Sequence, residues 1–349
     1  MSLYDRVAGL PLEIDSYELE GLEKDVSSGF VRRTTVVRLR GGGHEGVGED
    51  VTYDGDEQLA FQRGASDLPI AGSHTIDSFS ELVGRLGLFP SGPSRDAFLN
   101  YRRWGVESAS LDLALRQAGT TLHAAVEREP QPVTFVVSMR IPPPPTIAPV
   151  ERWLDVDPTL RFKLDPTSDW DDALVAALAE TGAVVTADLK GAYVGTVVDQ
   201  PPDPAMYRRV AEGLPMAWIE DPALTEETDP VLEPHRDRIT WDAPIHSIAD
   251  VEALPFRPRT LNVKPSRFGA VRELFDFYDW CAAEAIGLYG GGQFELGPGR
   301  GQIQYLASLF HPEEPNDVAP GPYNESVPQP GLPPSPLSPN PDVLGFRRV

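Results

Sequence analysis

Apolar residues along this chain follow two rhythms in turn. In "FVRRTTVVRLR" (30–40) they alternate with polar residues, the period of a strand with one buried face. "GGGHEGVGEDVTY" (41–53) is a glycine-rich turn feeding a second strand, so the two make a hairpin. "SFSELVGRLGLF" and "WGVESASLDLALRQAG" carry the helical period, the second closed by Gly119. Residues 1–130 therefore read as an α+β module.

From "VTFVVSMRI" (133–141) the strands lose their alternation. Short apolar runs recur as "LRFKLDP", "AVVTADLKG", "MAWIEDP", "RITWDAPI", "TLNVKPS" and "AIGLYGGG", with helical patterns between them. "SDWDDALVAALAETG" is a capped amphipathic helix, and "SIADVEAL" opens with Ser247 and Asp250 at capping spacing. Non-alternating strands that take turns with helices predict a parallel sheet covered by helices. Seven or more such strands predict a closed, TIM-like barrel over residues 131–325, behind the α+β cap. No GxGxxG follows the first strand, which removes a dinucleotide fold. The chain turns proline-rich from about residue 313, and this leaves 326–349 as a C-terminal extension that excludes a long helix or central strand. It is expected to be an extended arm, lying on the surface or crossing to a neighbouring subunit.

The middle runs end in Lys163, Asp188, Glu220, Asp242 and Lys264, separated by 25, 32, 22 and 22 residues. Roughly 30 residues accommodate one βαβ unit, so these are successive strand ends. In a TIM-like barrel such ends meet at one mouth, where the chemistry sits. Three carboxylates crowded there repel one another unless a cation lies between them, and an all-oxygen set suits Mg²⁺. In "AWIEDP" Glu220 is the inward ligand, while Asp221, one residue on, is expected to point the other way and serve the loop. Lys163 and Lys264 flank the acids as an acid/base pair. Arg161, two residues before Lys163 on the same face, is expected to depress the lysine's pKa, as is the metal.

The 30 basic and 53 acidic side chains give a formal charge of −23, which argues against nucleic acid and anionic membranes as partners. It leaves open a small carboxylate whose charge is met by a local cation. Cys281 is the only cysteine, so no intrachain disulfide forms, and it reads as a core residue. The N-terminus lacks a signal-peptide pattern and no apolar run approaches the roughly 18 residues of a span. The expectation is a cytoplasmic protein acting on a small molecule, with a homo-oligomer left open.

The order Arg-x-Lys, Asp, "IEDP", Asp and "VKPS" resembles the enolase superfamily, in particular its muconate cycloisomerase and o-succinylbenzoate synthase branch (mandelate racemase/muconate lactonizing enzyme-like proteins). "GGGHEGVGE" is similar to that family's capping-domain turn, "GVESASLDLAL" to its helix before the barrel, and "GGGQFELGPGRGQIQYLASLF" to its seventh-strand segment. The resemblance implies an α+β cap on a modified (β/α)₇β barrel, with Asp188, Glu220 and Asp242 on Mg²⁺. It also implies that Lys163 and Lys264 remove or return a proton α to a carboxylate, in a lyase or isomerase of dehydratase, syn-eliminating, cycloisomerase or epimerase type. A barrel that binds metal and carboxylate without turnover is the alternative. The chain departs from the family pattern in having Arg161 for a common Lys, Lys190 for a common Asn, and "WDAPIHS" for Asp-Glu-Ser. Lys190 is expected near the metal or the substrate. Gln293, Glu295 and Arg300 in the seventh-strand segment, and His44 in the cap turn where the family places a lid, complete the candidate substrate contacts.

Overall fold

The computed structural model describes residues 1–26, 30–64, 68–193, 195 and 199–347. The cap contains strands β1 (Pro11–Ile14), β2 (Ser16–Asp25), β3 (Val31–Gly41), β4 (His44–Asp50) and β5 (Gly72–Thr75). β2, β3 and β4 form an antiparallel sheet in that order, and β1 pairs with β5. Gly42 and Gly43 turn β3 into β4 with φ of 55° and 78°, a left-handed pair that favours glycine. Helix Ala97–Gln117 packs on β4, starting well before Trp104, and Gly119 follows it at φ 64°. The approach is tight enough that a Cβ on Gly48 would sit 2.1 Å from the Gly105 carbonyl oxygen. The helix expected over "SFSELVGRLGLF" spans Ile76–Gly84, opened by a capping box between Thr75 and Ser78.

The barrel strands are β6 (Val137–Met139), β7 (Phe162–Leu164), β8 (Val184–Asp188), β9 (Trp218–Glu220), β10 (Ile239–Thr240), β11 (Thr260–Val263) and β12 (Gly287–Gly290). β6 to β10 are parallel and adjacent in chain order, and β11 pairs in parallel with β12. The Asn262 amide donates to the Trp241 carbonyl at 3.0 Å, which joins β10 to β11. Residues 316 and 317 bridge Phe135 on one side and Gly291 on the other, both in parallel, and so close the ring. The architecture is α/β, a seven-stranded parallel barrel sealed by a short eighth segment and roofed by an α+β cap.

Between the strands, Asp171, Asp203 and Ser247 accept the first free amides of helices Asp172–Thr181, Pro204–Gly213 and Ile248–Glu252. Gly182 ends the first of these at φ 60°. Apolar side chains of both parts join one core, in which Trp153, Phe135 and Phe162 are among the largest fully buried groups. The C-terminal extension runs over its own chain: Leu337 bridges Val133, and Phe346 is buried. Among the described residues no helix is long and apolar enough to cross a membrane.

Candidate active site

Lys163, Asp188 and Glu220 stand in or at the ends of β7, β8 and β9, Asp242 follows β10, and Lys264 follows β11. All five are buried. Parallel strands deliver them to one end of the barrel, and the side chains touch. The Lys163 ammonium donates to Glu220 and lies 3.0 Å from Asp188 Oδ2 and 3.8 Å from Asp317 Oδ2. Lys190, two residues beyond Asp188 and at φ 55°, turns its Nζ back onto Asp188 and lies 3.5 Å from Asp165 Oδ1. The Tyr289 hydroxyl donates to Glu220, whose Oε2 also lies 3.4 Å from Asn262 Nδ2.

Asp221 departs from the expected alternation. Its φ of 47° takes the chain out of strand geometry directly after Glu220, so the period-two rule no longer sets its direction. Its carboxylate accepts from the amides of Asp242 and Ala243, both at 2.8 Å, and so it does serve the loop. At the same time Asp188, Glu220 and Asp221 each bring a carboxylate oxygen within 4.8 Å of the others.

Asp242 lies outside that group. Its two oxygens are held by Arg267, at 2.8 Å (Nη1–Oδ1) and 3.3 Å (Nη2–Oδ2), by Lys264 at 2.8 Å and by the Tyr193 hydroxyl at 2.9 Å. The geometry thus assembles Asp221, rather than Asp242, with Asp188 and Glu220. Arg267, Tyr193, Tyr289, Asn262 and the position of Asp221 were not anticipated. Arg267 stands in the same short "VKPSRF" run as Lys264, which is the signal that was available.

Ionisation follows from these contacts. Burial works against charge on Lys163, Asp188, Glu220, Asp221 and Asp242. For Asp188, the Lys163 and Lys190 ammonium groups overcome that penalty and hold its pKa below the ordinary value. For Asp242, Arg267 and Lys264 do the same and the carboxyl is held well below. Glu220 is pushed well above its usual range by burial and, against the pull of Lys163, by Asp188 and Asp242. Asp221 is pushed up to about 7 by burial and by Asp242 and Asp188. Lys163, which burial alone would deprotonate, is held well above its usual value by Asp188, Glu220 and Asp317.

This last direction corrects an expectation. Arg161 is exposed at the start of β7 and donates to the carbonyls of Thr159 and Leu160, both at 2.9 Å. It sits with Val185, Met216 and Trp218 around a surface hollow at the opposite, strand-starting end. It neither depresses Lys163 nor reaches the mouth. His44 is likewise corrected: it is exposed at the hairpin tip, paired with Gly41, away from these acids. Gln293 and Glu295 are buried between barrel and cap, Gln293 donating to the Tyr101 hydroxyl at 3.0 Å. Arg300 pairs with Glu295 at 3.3 Å.

Two family models cover most of the chain. The domain of unknown function DUF8230 matches through its N-terminal domain at residues 5–125 and its C-terminal domain at residues 129–325. The chain belongs to the DUF8230 family. This DUF8230 chain is 28% identical over 332 residues to an N-succinylamino acid racemase of Thermus thermophilus, covering 88% of itself and 86% of that protein. A dipeptide epimerase from Methylococcus capsulatus, solved with a Mg ion, superposes with a TM-score of 0.66 at 18% identity, over 88% of this chain and 90% of that one. An enolase-superfamily member from Enterococcus faecalis V583 superposes at 0.62 with 20% identity, over 87% and 86%. The DUF8230 chain has the enolase-superfamily fold, as its strand-end residues indicated.

Proposed function

We propose that the chain is a Mg²⁺-dependent enzyme that removes the proton α to a carboxylate and returns it, as a racemase or epimerase of N-substituted amino acids. The observation that carries this reading is the pair of buried lysines, Lys163 and Lys264, on two different strands around one set of buried acids. The racemase and epimerase relatives support this subdivision. Elimination and cycloisomerisation begin with the same proton removal and differ in what the rest of the substrate offers.

The acids fit a hard divalent ion: their ligand atoms are carboxylate oxygens, buried and gathered from β8 and β9. Asp188, Glu220 and Asp221 would hold it, with Asp242 available once Arg267 releases an oxygen. Bound there, the ion would hold a substrate carboxylate, stabilise the charge that forms as the α-proton leaves, and neutralise the acids that keep Lys163 protonated. Lys163 then serves as base or as proton donor, and Lys264, held by Asp242, acts from the other strand. Two lysines acting from opposite faces of the reacting carbon would account for inversion; one alone would return the proton to the side it came from.

Four internal cations, Lys163, Lys190, Lys264 and Arg267, already pair with these acids, and this favours a second reading, a barrel that turns nothing over. Incubation of the protein with Mg²⁺ in D₂O and a panel of N-succinyl amino acids and dipeptides separates the two. The active reading expects α-deuterium incorporation that Lys163→Ala and Lys264→Ala each reduce on the order of 10²-fold or more. Bound ligand with no incorporation on any panel member would establish the second reading.

A further inference from the structure

The segment that follows β12, residues 293–299, is gripped by two buried charged side chains of the cap, one of each sign. Arg32 of β3 is fully buried and, among the described residues, has no carboxylate within ion-pair distance. Its donors go to main-chain carbonyls, Phe294 at 3.2 Å and Gln293 at 2.8 Å on the barrel side, Thr52 at 2.8 Å and Val51 at 2.7 Å on the cap side. The guanidinium also lies 4.2 Å over the Tyr53 ring. Glu49 of β4, equally buried, accepts from the amides that follow: Leu296 at 2.7 Å, Gly297 at 3.0 Å and Gly299 at 2.9 Å. The carbonyls at the start of the segment face the cation and its later amides face the anion.

Packing alone does not call for this. Burying a guanidinium against neutral carbonyls, without a carboxylate to offset its desolvation, is costly, and an apolar side chain would fill the same space. Charge-assisted hydrogen bonds return part of that cost as directional hold on the backbone. What they hold is unusual: Phe294 sits at φ 59°, a conformation that needs support from its surroundings. The chain just before the held segment runs against the reacting group, for a Cβ on Gly291, two residues earlier, would lie 2.7 Å from Lys264 Cε.

We propose that Arg32 and Glu49 are positioning residues that fix segment 293–299 over the barrel mouth, so that this segment forms the wall against the part of the substrate remote from the reacting carbon. This rests on the proton-transfer reading above. Glu49→Gln preserves the shape and removes the charge, and Arg32→Met does the same for the cation. Backbone amide hydrogen exchange on the full-length chain is expected to speed up at least about tenfold in peptides covering 293–300 in both variants, with the β7–β9 strands unchanged. With an accepted N-acyl amino acid, KM is expected to rise about tenfold while kcat stays within about threefold, and Mn²⁺ affinity by calorimetry to stay unchanged. Unchanged exchange in 293–300, or a fall in kcat with KM unmoved, would overturn the assignment. If the wild type exchanges no α-proton, the proposed reaction fails separately, and the amide exchange still decides whether the clamp exists.

Discussion

Asp242 and Glu220 are both carboxylates at the mouth of one barrel, yet their surroundings give them opposite roles in stability. Asp242 neutralises Arg267 and Lys264, so Asp242→Ala would leave two buried cations without their anion. Breaking a buried pair from one side costs roughly 3–5 kcal/mol, and the metal-free variant is expected to lose that much in urea unfolding. Glu220 is instead crowded by burial and by other acids, so its charge is a burden in the metal-free protein. Glu220→Gln should cost no more than about 1 kcal/mol without metal, and should abolish any stabilisation that Mg²⁺, on the proposed reading, would give the wild type. An Asp242→Ala protein as stable as Glu220→Gln after treatment with a chelator would refute this division. The five strand-end charges were legible because their spacing matches βα units. That Asp221 serves the loop was legible too, but its place beside Asp188 and Glu220 was not, since a single left-handed residue leaves no trace in a pattern read at period two. Nor was the role of Arg267, which stands in the same run as Lys264 but acts through its contact with Asp242, a pairing that spacing alone does not reveal.

Most barrel elements announce themselves by apolar runs, but the one that closes the ring does not. Residues 316–317 are polar, and the proline-rich composition around them reads as an arm. The structure makes them a strand through side-chain bonds. Asn316 donates through Nδ2 to the carbonyls of Thr134, His311 and Glu314, at 3.0, 2.9 and 2.8 Å. Its Oδ1 must therefore face the Gly290 amide and His311 Nδ1, both at 2.6 Å. That requires a proton on His311 Nδ1. Burial lowers the imidazole's pKa from 6.5 to about 4, opposed by the bond to Asn316. The unfolded chain thus takes up this proton first as pH falls. The closure contributes its full stability above about pH 6.5 and loses it progressively toward pH 4, on the order of 3 kcal/mol. Urea unfolding across that range should give a flatter profile for His311→Gln than for the wild type, beneath the wild-type curve at neutral pH. Parallel profiles would show that His311 does not titrate with folding.

At the scale of the whole molecule, the cap and barrel are joined along a broad contact, in which helix Ala97–Gln117 meets residues 267–271 through Asn100 and Glu107. They are joined also by the grip on segment 293–299 and by the end of the chain. Phe346 is fully buried between Trp104 on the cap helix and Tyr305 on a barrel helix, with ring centroids 6.3 and 6.2 Å away. Its amide donates to Asp112 Oδ1 at 2.8 Å, and Arg347 Nε lies 2.6 Å from Oδ2 of the same carboxylate. Gly345, at φ 90°, threads where a Cβ would meet Asp112 Oδ1 at 2.3 Å, so the socket is cut for glycine there. The composition of the extension gave an arm but not its landing place, because proline density fixes an extended shape and says nothing of which surface receives it. In this structure the arm docks on its own chain. Phe346→Ala is therefore expected to cost about 3–5 kcal/mol, as for other buried aromatic truncations, whereas Val327→Ala, at an exposed position, should change stability by less than about 0.5 kcal/mol. Mg²⁺ affinity should be the same in both, since neither side chain approaches the acids. Docking within one chain also makes the Phe346→Ala loss independent of protein concentration. A loss that shrinks on dilution would mean instead that the arm crosses to a second copy, because only an intermolecular contact weakens with concentration.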